Sequence, residues 1–216
     1  MTARRLGDRG QAFPIYIVVV AGLLFAALAF FVVGMAGATR SNAQGAADAA
    51  ALAAAREARD KVFVGIDLGG LKPTDWEAIL DVKRFNATGA CSEAERFAAL
   101  NDAKATCKEA LPRFTVNVKT EDAVGDSVVP GSGETYGFAE ATAVIESRCS
   151  LGHVAAASPS PSPPPTPSPT ARPGGPPKLG SVNFVCEGVA SFKLDPLNPG
   201  PLSRLARNLF SVRLVD

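Results

Sequence analysis

Histidine is nearly missing from this chain: His153 is the single one in 216 residues. It stands in a Gly- and Ala-rich segment just before a proline-rich tract, where a mobile surface histidine is the simpler reading, because catalysis needs held geometry. Net charge is scarce too, with 22 Lys and Arg against 21 Asp and Glu. Phosphate binding needs a concentrated basic face, which argues against nucleic acid as a partner. The four cysteines contain no CxxC pair, and the sequence has neither an EF-hand loop nor an HExxH pattern, so structural zinc is a poor reading. Gly131-Ser132-Gly133 lacks the apolar strand and following helix of a nucleophile elbow and reads as a turn. No catalytic, cofactor-binding or metal residue emerges, and no small-molecule substrate. The chain reads as a non-enzyme without cofactors.

What is present in quantity is one apolar run. Ile15 to Val33 is uncharged, within an uncharged stretch from Gly10 to Thr39. As a helix those residues span about 28 Å, close to the ~30 Å hydrocarbon core of a bilayer. Arg4, Arg5 and Arg9 precede the run against a single Asp8. The positive-inside rule then keeps residues 1–14 in the cytoplasm, makes 15–37 a transmembrane helix and exports the rest. The expected location is the cell membrane, single-pass, with an extracellular C-terminal domain. Ala36-Gly37-Ala38 offers a rival reading as a signal-peptidase site cut before Thr39, but the apolar run exceeds the usual h-region of about 7 to 15 residues.

Residues 38–64 form an Ala-rich extension. No proline lies between Pro14 and Pro73, so one helix is expected to run from the membrane to about Val64. Gly22 and Ala26, Gly34 and Ala38, then Ala43, Ala47, Ala50 and Ala54 recur at or near four-residue spacing. Such stripes let helices approach closely, and one that continues through both halves points to helix-to-helix assembly.

Ordinary globular sequence follows, 65–157 forming the first part of an extracytoplasmic domain. Thr74 with Glu77 reads as a capping box for a helix of about 74–85, and Ser92 with Glu95 as one for a second helix. Cys91, Cys107, Cys149 and Cys186 all follow the anchor, in a compartment where disulfides persist. A helix unbroken from Cys91 to Cys107 would hold them ~24 Å apart, beyond the ~7 Å a disulfide allows. Either they do not pair, or the helix stops at Asn101-Asp102 and a strand returns. Phe114, Val116 and Val118 alternate with polar neighbours as a half-buried strand. Further strands are expected over about Phe138 to Cys149 and Val182 to Leu194, with both cysteines on the apolar parity. That makes Cys149–Cys186 a natural bridge, although four cysteines permit three connectivities. Between these strands, 158–177 is a Pro-rich disordered insertion read as a spacer or surface loop. Residues 178–216 complete the domain, with a short amphipathic helix over Pro201 to Phe210.

The segments DRGQAFPIYIVVVAGLLF and NAQGAADAAALAAAREA, with the later CSEAERFAALNDAKATC, resemble the TadE/TadG-like proteins of actinobacteria, pseudopilin-like parts of the tight-adherence (Flp) pilus system. The resemblance covers about a third of the chain. It implies a Cys, helix, Asn-turn, strand, Cys unit, hence pairing of Cys91 with Cys107. Processed members are cut after a glycine, with a glutamate five positions beyond. Gly10 and Gln11 would be that pair here, but the fifth residue is Ile15, whereas TadG-type members stay uncut. The expected fold is α+β: a long N-terminal transmembrane helix, then a small extracytoplasmic domain with two short helices and an antiparallel sheet of three to four strands. The expected role is a membrane-anchored minor pseudopilin or assembly component of a tight-adherence pilus, with the membrane, pilin and pilus-assembly platform proteins as partners. A cell-surface binding or envelope-stress module with a single-pass anchor is the alternative.

Overall fold

A computed structural model describes residues 12–123, 134–152, 180–188 and 190–215. One helix, α1 (Ala12–Asp60), runs unbroken for 49 residues, about 74 Å. Pro14 is accommodated in its first turn, where backbone N–H groups have no intrahelical acceptor. The helix has two environments. Its apolar first half is exposed, whereas from Ala43 onward Ala46, Ala47, Ala50, Ala51, Ala54, Ala55 and Ala58 are buried.

What covers them is a four-stranded antiparallel sheet in the order β1-β2-β3-β7, built from β1 (Ala103–Ala110), β2 (Arg113–Ala123), β3 (Tyr136–Ser147) and β7 (Phe210–Val215). Phe114, Val116 and Val118 of β2 point inward opposite Ala143, Ala141 and Ala139 of β3. Alanine on both sides permits a short helix-to-sheet distance. The closest approach is at Gly137, where an added Cβ would lie 2.8 Å from the Thr39 carbonyl oxygen and 3.1 Å from the Ala43 Cβ. Gly137 N–H donates to the Thr120 hydroxyl at 2.9 Å, pinning this corner.

Helix α3 (Ala90–Ala99) packs beside α1 through Ala90, Ala94 and Ala98. It stops where the alternative with a returning strand requires. Asp102 takes a positive φ of 51°, a conformation Asp tolerates better than most residues. Strand β1 then comes back to bring Cys107 to Cys91, bonded with Cα atoms 5.4 Å apart. The expected caps are corrected. Helix α3 begins at Ala90, after Gly89 at φ 86°, so Ser92 lies inside it. Helix α2 is Pro73–Leu80, and its first turn is closed by Asp75, whose carboxylate accepts from the Lys72 N–H at 2.9 Å. Val82, at φ 60°, lies in the turn over 81–84 that follows. Phe85 therefore lies outside the helix, edge-on to Phe210 at 4.9 Å.

The expected strand from Phe138 to Cys149 divides. Ser147 still pairs with Phe210, whereas Cys149 pairs with Cys186 in a second sheet of β4 (Cys149–Leu151), β5 (Val182–Cys186) and β6 (Phe192–Leu194). Val182 to Leu194 is likewise a hairpin and not one strand: Phe184 lies opposite Phe192, their rings 5.3 Å apart. The Cys149–Cys186 bond sits on that register pair. Closing a loop of separation 37 stabilises the fold by about 4 kcal/mol in the chain-entropy account. Trp76 of α2 ties the second sheet to the end of α1, its ring 6.0 Å from Phe63 and 5.4 Å from Phe184. Helix α4 (Leu202–Leu209) turns Leu205, Ala206 and Leu209 inward and feeds β7 directly. The Pro-rich insertion, His153, Gly10 and Gln11 lie outside the described residues.

Two predictions follow from this packing. Gly137→Ala places its methyl against the Thr39 carbonyl and lowers stability by about 1–3 kcal/mol. Gly45→Ala, in a helix position with nothing within 4 Å, raises it by about 0.5–1 kcal/mol. Denaturant unfolding of the detergent-solubilised protein checks the opposite signs. The second concerns pH. Glu146 of β3 accepts from Arg213 of β7 at 2.8 and 2.6 Å. These hydrogen bonds, foremost among the causes, hold the carboxyl below its ordinary value of 4.5. A carboxyl whose value is depressed by folding contributes stability above its ordinary value and loses it as pH falls through the folded value. Wild type therefore loses more stability than Glu146→Gln when unfolding midpoints at neutral pH are compared with those below 4.5.

Candidate functional site

The side chains that could do chemistry are scattered over the surface. Glu93 accepts from Arg96 at 2.9 and 2.6 Å within α3, and that hydrogen bonding lowers its carboxyl from the ordinary value. Lys83 donates to Asp81 at 2.8 Å, which raises its amine. Each is an exposed pair of neighbours in sequence, not a group aimed into a cleft. Among the described residues no group of three His, Cys, Asp or Glu could hold a metal ion. Cys91, Cys107, Cys149 and Cys186 are engaged in disulfides, and no described cysteine is free. They brace the fold. A depression of about 530 Å³ opens beside α1 between Thr39, Asn42 and Ala46 on one side and Leu100, Asp102 and Asp122 on the other. It is open and holds no nucleophile beside a base.

The distinctive surface is the first half of α1. Phe13, Ile15, Tyr16, Val18, Leu23, Leu24, Phe25, Phe30, Phe31 and Val33 are all exposed. The helix is long and apolar enough to cross a membrane, with a mean hydropathy of 2.9 in its most apolar window, none of it buried. Within this surface a Cβ added at Gly22, Gly34 or Gly37 would meet nothing within 4 Å, so the notches between the large side chains are empty and available to another helix.

The structure brings the small residues together in a different way from the expected continuous stripe. Ala43, Ala47, Ala50 and Ala54 are fully buried in the chain's own core, whereas Gly22, Ala26, Gly34 and Ala38 of the same series are exposed. The uncovered part of that series is thus confined to the apolar half. The physical reason is that a helix of methyl groups is the best surface on which a sheet containing Ala139, Ala141 and Ala143 can pack closely. Sequence periodicity could not separate the two uses, because small residues at four-residue spacing serve either an internal neighbour or an external one.

No curated protein and no solved structure matches this chain. A family model described as Flp pilus-assembly TadE/G-like does match, over residues 10–57. That match covers the exposed apolar half of α1 and nearly all of the buried alanine half, so the similarity to TadE/G-like Flp pilus-assembly proteins lies in this helix.

Proposed function

We propose that this protein is a membrane-anchored minor pseudopilin or assembly component of a tight-adherence pilus, working by helix packing and protein contacts without catalysis. One observation carries the reading. A bare apolar helix with open small-residue notches continues, without a break, into the core of a disulfide-braced globular part. In this reading the apolar half crosses the cell membrane with its N-terminus in the cytoplasm, and the globular part stands outside. The notches at Gly22 and Ala26, and those at Gly34 and Ala38, dock against pilin or platform helices. Because α1 is shared by anchor and core, any rotation or tilt imposed on the span is passed to the outer domain as a rigid lever.

The cheapest test removes the machinery. Without the pilus ATPase and platform proteins, this protein is expected to be unstable or mislocalised in its host. Full abundance at the membrane in that background would favour a free-standing binding module. In the intact system, Gly22→Leu with Gly34→Leu fills the notches. A helix contact of about 1–2 kcal/mol is lost, which corresponds to roughly tenfold weaker association. Piliation, counted by electron microscopy, falls accordingly while the level of the protein is unchanged.

A further inference from the structure

The continuity of α1 fixes where the globular part meets the bilayer. Val33 ends the apolar run, and the first charge after it is Arg40. Thr39 lies two residues past the end of the 15–37 span, about 3 Å along the helix, so it falls in the headgroup layer, which is roughly 5–7 Å thick on each side of the hydrocarbon. Thr39 is also where the sheet is anchored, through the close approach of Gly137. From there β3 climbs alongside α1, Gly137 lying by Ala43 and Ala141 by Gln44 and Asp48. Among the described residues, the start of β3, the end of β2 and the α3–β1 turn therefore lie at the end of the domain nearest the membrane.

That end carries an unusual set of side chains. Phe138 and Leu100 are each 66% exposed. Tyr136 stands beside Phe138 with the Lys119 ammonium 3.8 Å from its ring centroid and 5.7 Å from that of Phe138. Lys104 sits opposite Lys119 in the sheet register. Large apolar and aromatic groups left bare in water are costly, yet amphipathic aromatics and lysines are the residues favoured at a membrane interface. Asp102 and Asp122 lie at the same level beside α1 and offset the two lysines, so charge does not select the lipid.

We propose that this rim, comprising Tyr136, Phe138, Leu100 and Lys119, is a membrane-contact surface that rests in the phospholipid headgroup layer. The occupant is the outer lipid surface itself. The contact fixes the tilt of the domain relative to the bilayer and so aims the lever described above. The inference rests on the reading that α1 spans the membrane.

Spin labels test both separately. With all four cysteines in disulfides, single cysteines can be introduced in the full chain as Leu24→Cys, Phe138→Cys, Leu100→Cys and Leu197→Cys. Leu197 is 68% exposed but packs beside Gly69, past the far end of α1. Depth is read by oxygen and nickel accessibility in vesicles of phosphatidylethanolamine and phosphatidylglycerol, and again in phosphatidylcholine alone. The expected result is a label at position 24 deep in hydrocarbon and labels at 138 and 100 within about 7 Å of the phosphate plane. Position 197 should be aqueous and the pattern the same in both lipids. A deep label at 24 with labels at 138 and 100 as aqueous as 197 overturns the rim contact and leaves the anchor standing. An aqueous label at 24 overturns both. Contact only in the anionic vesicles overturns the aromatic basis of the proposal in favour of charge.

Discussion

The methyl face of α1 against β3 and α3 is the contact on which this molecule depends. Alanine side chains contribute little apiece, on the order of 0.8 kcal/mol per buried methyl-sized group, and they have no rotamer entropy to lose. Their advantage is distance. They let the helix backbone come close enough to the sheet that Gly137 has no room for a side chain. Remove that closeness and the inward residues of β2 lose their opposing surface, and with them the reason for the sheet to sit where it does.

The larger side chains then fill the far end. Trp76, Phe63, Phe184 and Phe192 form a chain of ring contacts that ties the small second sheet to the end of α1, and Phe85 with Phe210 closes the side where α4 passes into β7. The two disulfides are placed at complementary points. One holds α3 to β1 within the alanine-packed layer, and the other holds the hairpin sheet, whose few residues would be marginal without it. The exposed apolar helix and the core of the globular part are thus one continuous helix.

Much of this was readable in the residues. The apolar run and the alternation of Phe114, Val116 and Val118 each follow from geometry that is local in sequence, whereas the turn at Asn101-Asp102 was one of two alternatives, favoured through the pairing that the family resemblance implies. Strand β7 was missed although Phe210, Val212 and Leu214 alternate with Ser211 and Arg213, because it begins directly at the end of α4 and its partner β3 lies more than sixty residues earlier. The break at Arg148 was hidden for a related reason: the parity of Cys149 is right for a strand, but nothing local says that the strand changes sheets. The caps of α2 and α3 were misread because Ser, Thr and Glu at the right spacing occur inside helices as well as at their ends, whereas Pro73 and Gly89 were the true start signals. The dual use of the alanines needed the sheet to be seen on one half of α1 and not on the other.

The central claim is that the second half of α1 is the core of the globular part and not a free stalk beneath it. Amide hydrogen exchange of the intact protein in bilayer nanodiscs tests this most directly. If the claim holds, the amides of Ala46 to Ala58 exchange at the same slow rate as those of Val116 and Ala143, all opening only when the whole domain unfolds. Faster, independent exchange along 46–58 while β2 and β3 remain protected would contradict it, and would return the alanine helix to the role of a separate assembly surface.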